Sequence, residues 1–194
     1  MRHLILASQS PHRLKLLRDA GYDVEVIPVN VTEPDLTDFA DLGAGLIHIA
    51  ALKARAAWRA GAQGLIFAAD TVGCAAGQVF GKAANRAEAL RMLQAISGTR
   101  HEVATGWCLL RTRDQLHLSG VERTTITMRA WTPEEFARYL DSGKWIGKSG
   151  AYGLDLPHDP FVTEITGSAS NVIGVPLQRL GEALAEWVTA GGDR

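Results

Sequence analysis

Leu4-Ile5-Leu6-Ala7-Ser8-Gln9-Ser10-Pro11-His12-Arg13, running on into Leu14–Leu17, decides the fold. An apolar run ends in two hydroxyl residues, then a proline, then a basic pair, then apolar residues at helical spacing. This is a strand feeding directly into a helix. Ser10 is a natural N-cap, and Pro11 at the first helical position gives up no intrahelical hydrogen bond. The free amides of such a turn, with the helix dipole behind them, attract anions. Ser8, Ser10, His12 and Arg13 beside them make a phosphate cradle. An ordinary capped helix with a solvated arginine is the plainer reading of the same residues.

Working outward, Gly21 is a fitting stop for that helix, and Val24, Val26, Ile27 and Val29 suggest a second strand. An acidic segment follows (Glu33, Asp35, Asp38, Asp41), then a long helix from about Asp38 to Arg59. Its inward stripe is Leu42, Leu46 and Ile49, and the next member is Lys53. A lysine on an apolar face either snorkels to the edge or lines a pocket. Leu65–Ala69 reads as a buried strand ending in Asp70-Thr71. A carboxylate at the C-terminal end of a central strand lies where ligand crevices form, although a structural turn cap is the other reading. A small hairpin turning near Gly77 delivers Gly81-Lys82 back toward Asp70. Helical spacing over Ala87–Ile96 ends at Ser97-Gly98. Two long strands, His101–Leu110 and Leu116–Met128, form a hairpin, and Thr132-Pro133-Glu134-Glu135 opens a capped helix toward Leu140. A Gly- and Lys-rich loop spans Gly143–Gly153, Phe161–Ile165 is a strand, and Asn171–Pro176 a turn. The last helix buries Leu177, Leu180, Leu184 and Trp187. The expectation is an α/β chain with a mixed, twisted sheet flanked by helices, in which the first and last helices pack together.

At 194 residues, 46% hydrophobic and 21% charged, the chain suits one domain spanning 1–194 with a real core. A formal net charge of −1 argues against a nucleic-acid footprint. No apolar run is long enough to span a bilayer, and Met1-Arg2-His3 before Leu4–Ala7 is too short for a signal peptide. Cys74 and Cys108 are expected as reduced thiols of a cytoplasmic protein.

Several motifs fail. His101-Glu102 lacks the second histidine of a zinc protease, because Thr105 stands at the required offset. In Gly143-Lys144-Trp145-Ile146-Gly147-Lys148-Ser149 the first glycine is one residue too close for a P-loop. What survives is a set of polar residues that sit awkwardly for a core: Ser8, Arg13, Glu33, Lys53, Asp70, Lys82 and Lys148. Four cations and two carboxylates are the mix that a triphosphate with a divalent metal requires.

The chain closely resembles the Maf family of nucleoside triphosphate pyrophosphatases. Leu6–Arg13 is similar to the family's Leu-Ala-Ser-x-Ser-Pro-Arg-Arg opening, and Ala69-Asp70-Thr71-Val72 to its Ala-Asp-Thr-Val motif. Gly81-Lys82, Ser97–Val103, Gly147–Gly153 and Gly167–Leu177 continue the match in order. The resemblance implies a Maf/inosine-triphosphate-pyrophosphatase-like fold, with two lobes and a cleft between them. It implies cleavage between the α and β phosphates, giving a monophosphate and pyrophosphate, with dTTP/UTP or a modified nucleotide as substrate. On this analogy Asp70 is the general base, Glu33 and Asp70 hold Mg²⁺ or Mn²⁺, and Ser8, Ser10, Arg13, Lys53, Lys82 and Lys148 bind phosphate. It further implies a cytoplasmic homodimer and a link to septum formation, while the charge and the lack of a long apolar run point to no nucleic-acid or membrane partner.

Two departures bear on base choice, where His12, Thr71 and Asp155 are the expected specificity residues. His12 replaces the first arginine of the family's pair, and Asp155 replaces a glutamine common in members that prefer dTTP and UTP. An ionised Asp only accepts hydrogen bonds, whereas Gln also donates. A pyrophosphatase for a methylated guanosine triphosphate, and a non-catalytic nucleotide sensor in cell division, are the competing expectations.

Overall fold

The computed structural model describes residues 3–155 and 157–190. Met1 and Arg2, which enter the signal-peptide argument, and Leu156, which follows Asp155, lie outside that range. Seven strands form one mixed sheet. They are β1 (His3–Leu6), β2 (Asp23–Val26), β3 (Leu65–Ala75), β4 (Gln78–Phe80), β5 (Arg100–Arg111), β6 (Leu116–Met128) and β7 (Val162–Thr166). Their order is β2-β1-β3-β5-β6-β7, with β4 paired to β3. Strand β1 runs parallel to both β2 and β3, while β3/β4 and β6/β7 are antiparallel. The helices are α1 (Pro11–Asp19), α2 (Leu42–Arg59), α3 (Arg86–Ile96), α4 (Pro133–Asp141), α5 (Ala169–Ile173) and α6 (Leu177–Ala190). No helix among the described residues is long and apolar enough to cross a membrane.

The chain forms two compact units. The first runs to Asp70 and adds Thr105–Glu122 and the chain from Ile173 on; the second comprises Thr71–Ala104 and Arg123–Val172. In the first unit, the period of two along each strand sorts the core. Leu4, Leu6, Phe67, Ala69, Trp107 and Leu109 join Leu17 of α1 and Leu180, Ala183 and Leu184 of α6, so the first and last helices do share a core. The alternate residues Ile5, Ala7, Ile66, Ala68, Cys108 and Leu110 instead meet Ala50, Ala54 and Ala57 of α2. The small side chains of α2 let it lie close to the sheet. A Cβ on Gly106 of β5 would fall 2.3 Å from the Leu46 carbonyl carbon. In the second unit, Met92, Leu93 and Ile96 of α3 and Tyr139 and Leu140 of α4 pack with Ile126 and Met128 of β6.

Five boundaries differ from the sequence reading. Helix α2 begins at Leu42, not near Asp38, because the Asp41 side chain caps it on the Ala44 amide. Leu36–Asp38 is a separate 3-10 turn capped by Asp35. The second strand stops at Val26 and the last begins at Val162. Asn171–Pro176 opens inside a short helix, α5; the buried Asn171 donates to Val103 O and Thr124 Oγ1, a tertiary anchor that local sequence does not reveal. The last difference matters most for function. Asp70 does not end its strand, since β3 continues to Ala75. Strand β1 is what stops: its last bond to β3 runs from the Ala7 amide to Phe67 O. Asp70 therefore lies on β3 just past the end of its parallel neighbour.

Candidate active site

Parity aims Asp70. It follows Ile66 and Ala68 at intervals of two, and those side chains face α2. Lys53 occupies the corresponding stripe of α2, after Leu46, Ile49 and Ala50. Its Nζ lies 2.6 Å from Asp70 Oδ1 and 2.8 Å from Glu33 Oε1. The side chains of Lys53 and Asp70 are only 14% and 16% exposed, against 47% for Glu33. Of the two readings of Lys53, the structure selects the inward one: its ammonium is held by two carboxylates. Asp70 Oδ2 has no hydrogen-bond partner among the described residues.

The first turn of α1 supplies the next group. Ser10 caps the helix by accepting from the Arg13 amide. The buried Ser8 Oγ accepts from the Ser10 amide at 3.1 Å and from Arg13 Nη1 at 3.3 Å. Because Oγ accepts both bonds, the hydroxyl proton points elsewhere. Arg13 Nε donates to Gly174 O at 3.0 Å, tying α1 to the turn before α6. Burial pulls the Arg13 pKa down, and the nearby charges of Asp70 and Glu33 push it back up. Part of the expected cradle of free amides is taken up within the turn. Pro11 has no N–H, and the amides of Ser10, Arg13 and Leu14 are taken by Ser8 Oγ, Ser10 Oγ and Ser10 O. The side chains of Ser8 and Arg13 lie beside this turn. His12 is exposed at the second position of α1.

The other expected residues lie in the second unit. The β3/β4 hairpin turns at Ala76-Gly77, both at positive φ, which is the two-residue turn that suits a twisted ribbon. Beyond it, Lys82 forms an antiparallel bridge with Ser149, and the Gly150 amide donates to Gly81 O. That pairing puts the backbones of Lys82 and Lys148 on neighbouring segments. Ser149 Oγ donates to Thr71 O at 2.5 Å, adding the residue next to Asp70 in the chain. Burial lowers the Lys148 pKa, with Asp155 opposing. Asp155 itself is exposed and paired to Lys144 Nζ at 2.7 Å, which raises the lysine's pKa.

The model of the family described as Maf-like protein matches residues 3–187. The chain belongs to the Maf family. A dTTP/UTP pyrophosphatase of Rhodopirellula baltica is 39% identical over 93% of this chain and 80% of its own length. One from an Anaeromyxobacter species is 37% identical over 97% of this chain and 94% of its own. One from Bdellovibrio bacteriovorus is 34% identical over 95% and 98%. A solved nucleoside-triphosphatase (dITP/XTP pyrophosphatase) of Mycobacterium abscessus overlaps more loosely, with a TM-score of 0.42 at 16% identity, over 73% of this chain and 95% of its own.

No group of three or more His, Cys, Asp and Glu is placed to hold a metal among the described residues of this Maf-family chain. The two carboxylates gathered at Lys53 Nζ are a different kind of donor set. Mg²⁺ is usually held by one or two carboxylates with waters and substrate phosphates completing its shell. Glu33 and Asp70 fit that mode and do not fit an all-protein cage. Residues the sequence reading missed are the supports: Ser149, Lys144, the Gly174 carbonyl and Asp159. The Asp159 carboxylate accepts from the amides of Asp155, Phe161 and Val162 and from Tyr152 Oη, so it organises the Asp155 loop. Only Asp159 carried a local signal, since Asp-Pro favours turn initiation.

Proposed function

We propose that this Maf-family chain hydrolyses nucleoside triphosphates between the α and β phosphates, releasing the nucleoside monophosphate and pyrophosphate, with dTTP and UTP as its substrates. One observation carries the reading: Asp70 and Glu33 are gathered on a single lysine just past the end of β1. The relatives named dTTP/UTP pyrophosphatase support it.

In this reading Asp70 is the general base. Lys53 engages its Oδ1 and fixes its orientation, which leaves Oδ2 to take the proton of the attacking water. Ser8 donates its hydroxyl proton to phosphate while Arg13 offsets phosphate charge from beside it. Ser10 serves through the cap that holds Arg13, and Lys53, Lys82 and Lys148 add positive charge. Glu33 and Asp70 would hold a divalent cation, Mg²⁺ or Mn²⁺, whose charge offsets that of the triphosphate. Positioning and charge compensation supply most of the rate in such chemistry. His12, Thr71 and Asp155 are the proposed base-selecting positions. Homodimerisation, a cytoplasmic location and a link to septum formation belong to the same reading and rest on the family resemblance; one domain over 1–194 and no nucleic-acid or membrane partner rest on length, charge and hydropathy.

The test is pyrophosphate release across dTTP, UTP, the other canonical triphosphates and methylated guanosine triphosphate, with Mg²⁺ or Mn²⁺. The expected result is the highest kcat/KM for dTTP and UTP. No release from any triphosphate refutes the activity, and a preference for methylated guanosine triphosphate refutes the substrate.

A further inference from the structure

Lys148 runs across Gly153, both in the segment between α4 and β7. A methyl group built on Gly153 Cα would stand 2.9 Å from Lys148 Cε, 3.2 Å from Nζ and 3.4 Å from Cδ. Contacting carbon atoms prefer about 3.5–4.0 Å. The last carbons and the ammonium of Lys148 thus occupy the space a side chain at 153 would fill. Backbone conformation does not demand the glycine, because Gly153 is not among the residues at positive φ.

The backbone at 153 is also anchored from elsewhere. The Gly153 amide donates to Tyr139 Oη at 3.0 Å. Tyr139 is buried and stacks on Tyr152 at 5.7 Å between ring centroids, with the Trp131 ring edge-on to both. When a group is added at 153, the soft partner is the far end of the lysine and not the main chain.

We propose that Gly153 is a positioning residue for the Lys148 ammonium, its missing side chain being the slot that aims this cation at the substrate triphosphate. The proposal rests on the triphosphate-binding role given to Lys148 above. A methyl group at 153 moves Nζ while leaving the fold in place. Burial of Lys148, seen in its lowered pKa, agrees with a side chain confined to one path.

The experiment compares Gly153→Ala, Lys148→Ala and the double variant. Gly153→Ala is expected to keep a melting temperature close to wild type, because the added methyl group meets only the far end of a flexible side chain. In protein carrying ¹³C-labelled lysine and no nucleotide, the Lys148 Cε resonance is expected to move. The KM for dTTP should rise about three- to tenfold with kcat within about twofold, as for loss of uniform binding. Lys148→Ala should raise KM about tenfold or more. On that background Gly153→Ala should add nothing, because the two changes act through one group. An unmoved Lys148 resonance overturns the proposal. So does a wild-type KM in Lys148→Ala, or a Gly153→Ala effect that persists in full without the lysine. The resonance is read without substrate, so failure of the pyrophosphatase reading, seen as no release from any triphosphate, is distinguished from failure of the Gly153–Lys148 coupling.

Discussion

The ammonium of Lys53 is the point on which the candidate chemistry turns. It satisfies two carboxylates at once, and one of them, Asp70, is almost enclosed. Asp70→Asn keeps the shape and can still accept from Lys53, but an amide cannot take a proton at neutral pH. Turnover should be lost, with a melting temperature close to wild type; wild-type pyrophosphate release from this variant would remove Asp70 from the role of base. Lys53→Ala has a different signature. It leaves two facing carboxylates without their cation, one of them largely buried. Loss of one partner from such a set should cost about 1–3 kcal/mol, reduced from fully buried cases because Glu33 is half-exposed. The exposed Lys82, replaced by Ala, should stay within about 0.5 kcal/mol of wild type. Urea unfolding of the two variants side by side checks this. Equal stabilities would mean that the Lys53 ion pairs contribute nothing to the fold.

Elements transmit these residue-level needs through close approaches and caps. Helix α2 can hold Lys53 near β3 because its Ala stripe and Gly106 let backbone meet backbone. Gly106→Ala puts a methyl group 2.3 Å from the Leu46 carbonyl carbon and 2.6 Å from the Ile47 amide nitrogen, atoms that cannot rotate away. Destabilisation of about 3 kcal/mol or more is expected, at the severe end for overpacking, measured as a lowered denaturation midpoint. Helix α4 offers a pH-dependent counterpart. Glu135 accepts two hydrogen bonds from Arg129 and one from the Thr132 amide, and these hold its pKa down at about 2. The folded pKa lies below the unfolded one, so this contribution is complete above the ordinary value of 4.5 and fades as pH falls toward about 2. Glu135→Gln should flatten that part of the pH–stability profile, and an unchanged acid slope would show that another carboxylate dominates. Legibility in the sequence followed the same division. The caps of α1 and α4, the Ser97 end of α3 and the Gly77 turn are readable because they are local. The full length of β3 was not, since polar Asp70 and Thr71 looked like an ending and only the pairing with β4 and β5 shows otherwise. Lys53 stood out as a polar residue on an apolar stripe, but its partners come from a loop and a strand that no local pattern links.

At the scale of the whole molecule, global stability separates an enzyme from a nucleotide sensor. A ligand that binds only the folded chain stabilises it by RT ln(1 + [L]/Kd), about 2.7 kcal/mol at a hundredfold excess over Kd. A chain of this size gains roughly 2–4 °C in melting temperature per kcal/mol. A non-hydrolysable dTTP analogue with Mg²⁺ should therefore raise the melting temperature by about 5–10 °C under that excess. Lys82→Ala, if it weakens binding about tenfold, leaves a tenfold excess at the same concentration and about 1.4 kcal/mol, so the shift should fall by roughly half. Asp70→Asn should lose turnover outright but keep part of the shift, because Glu33 and the cations still hold metal and phosphates while one carboxylate ligand is weakened. A wild-type chain that gains the full shift but releases no pyrophosphate would be a sensor. One that releases pyrophosphate yet keeps the whole shift in Lys82→Ala would bind its triphosphate without that lysine, and the cation set would then reduce to Arg13, Lys53 and Lys148.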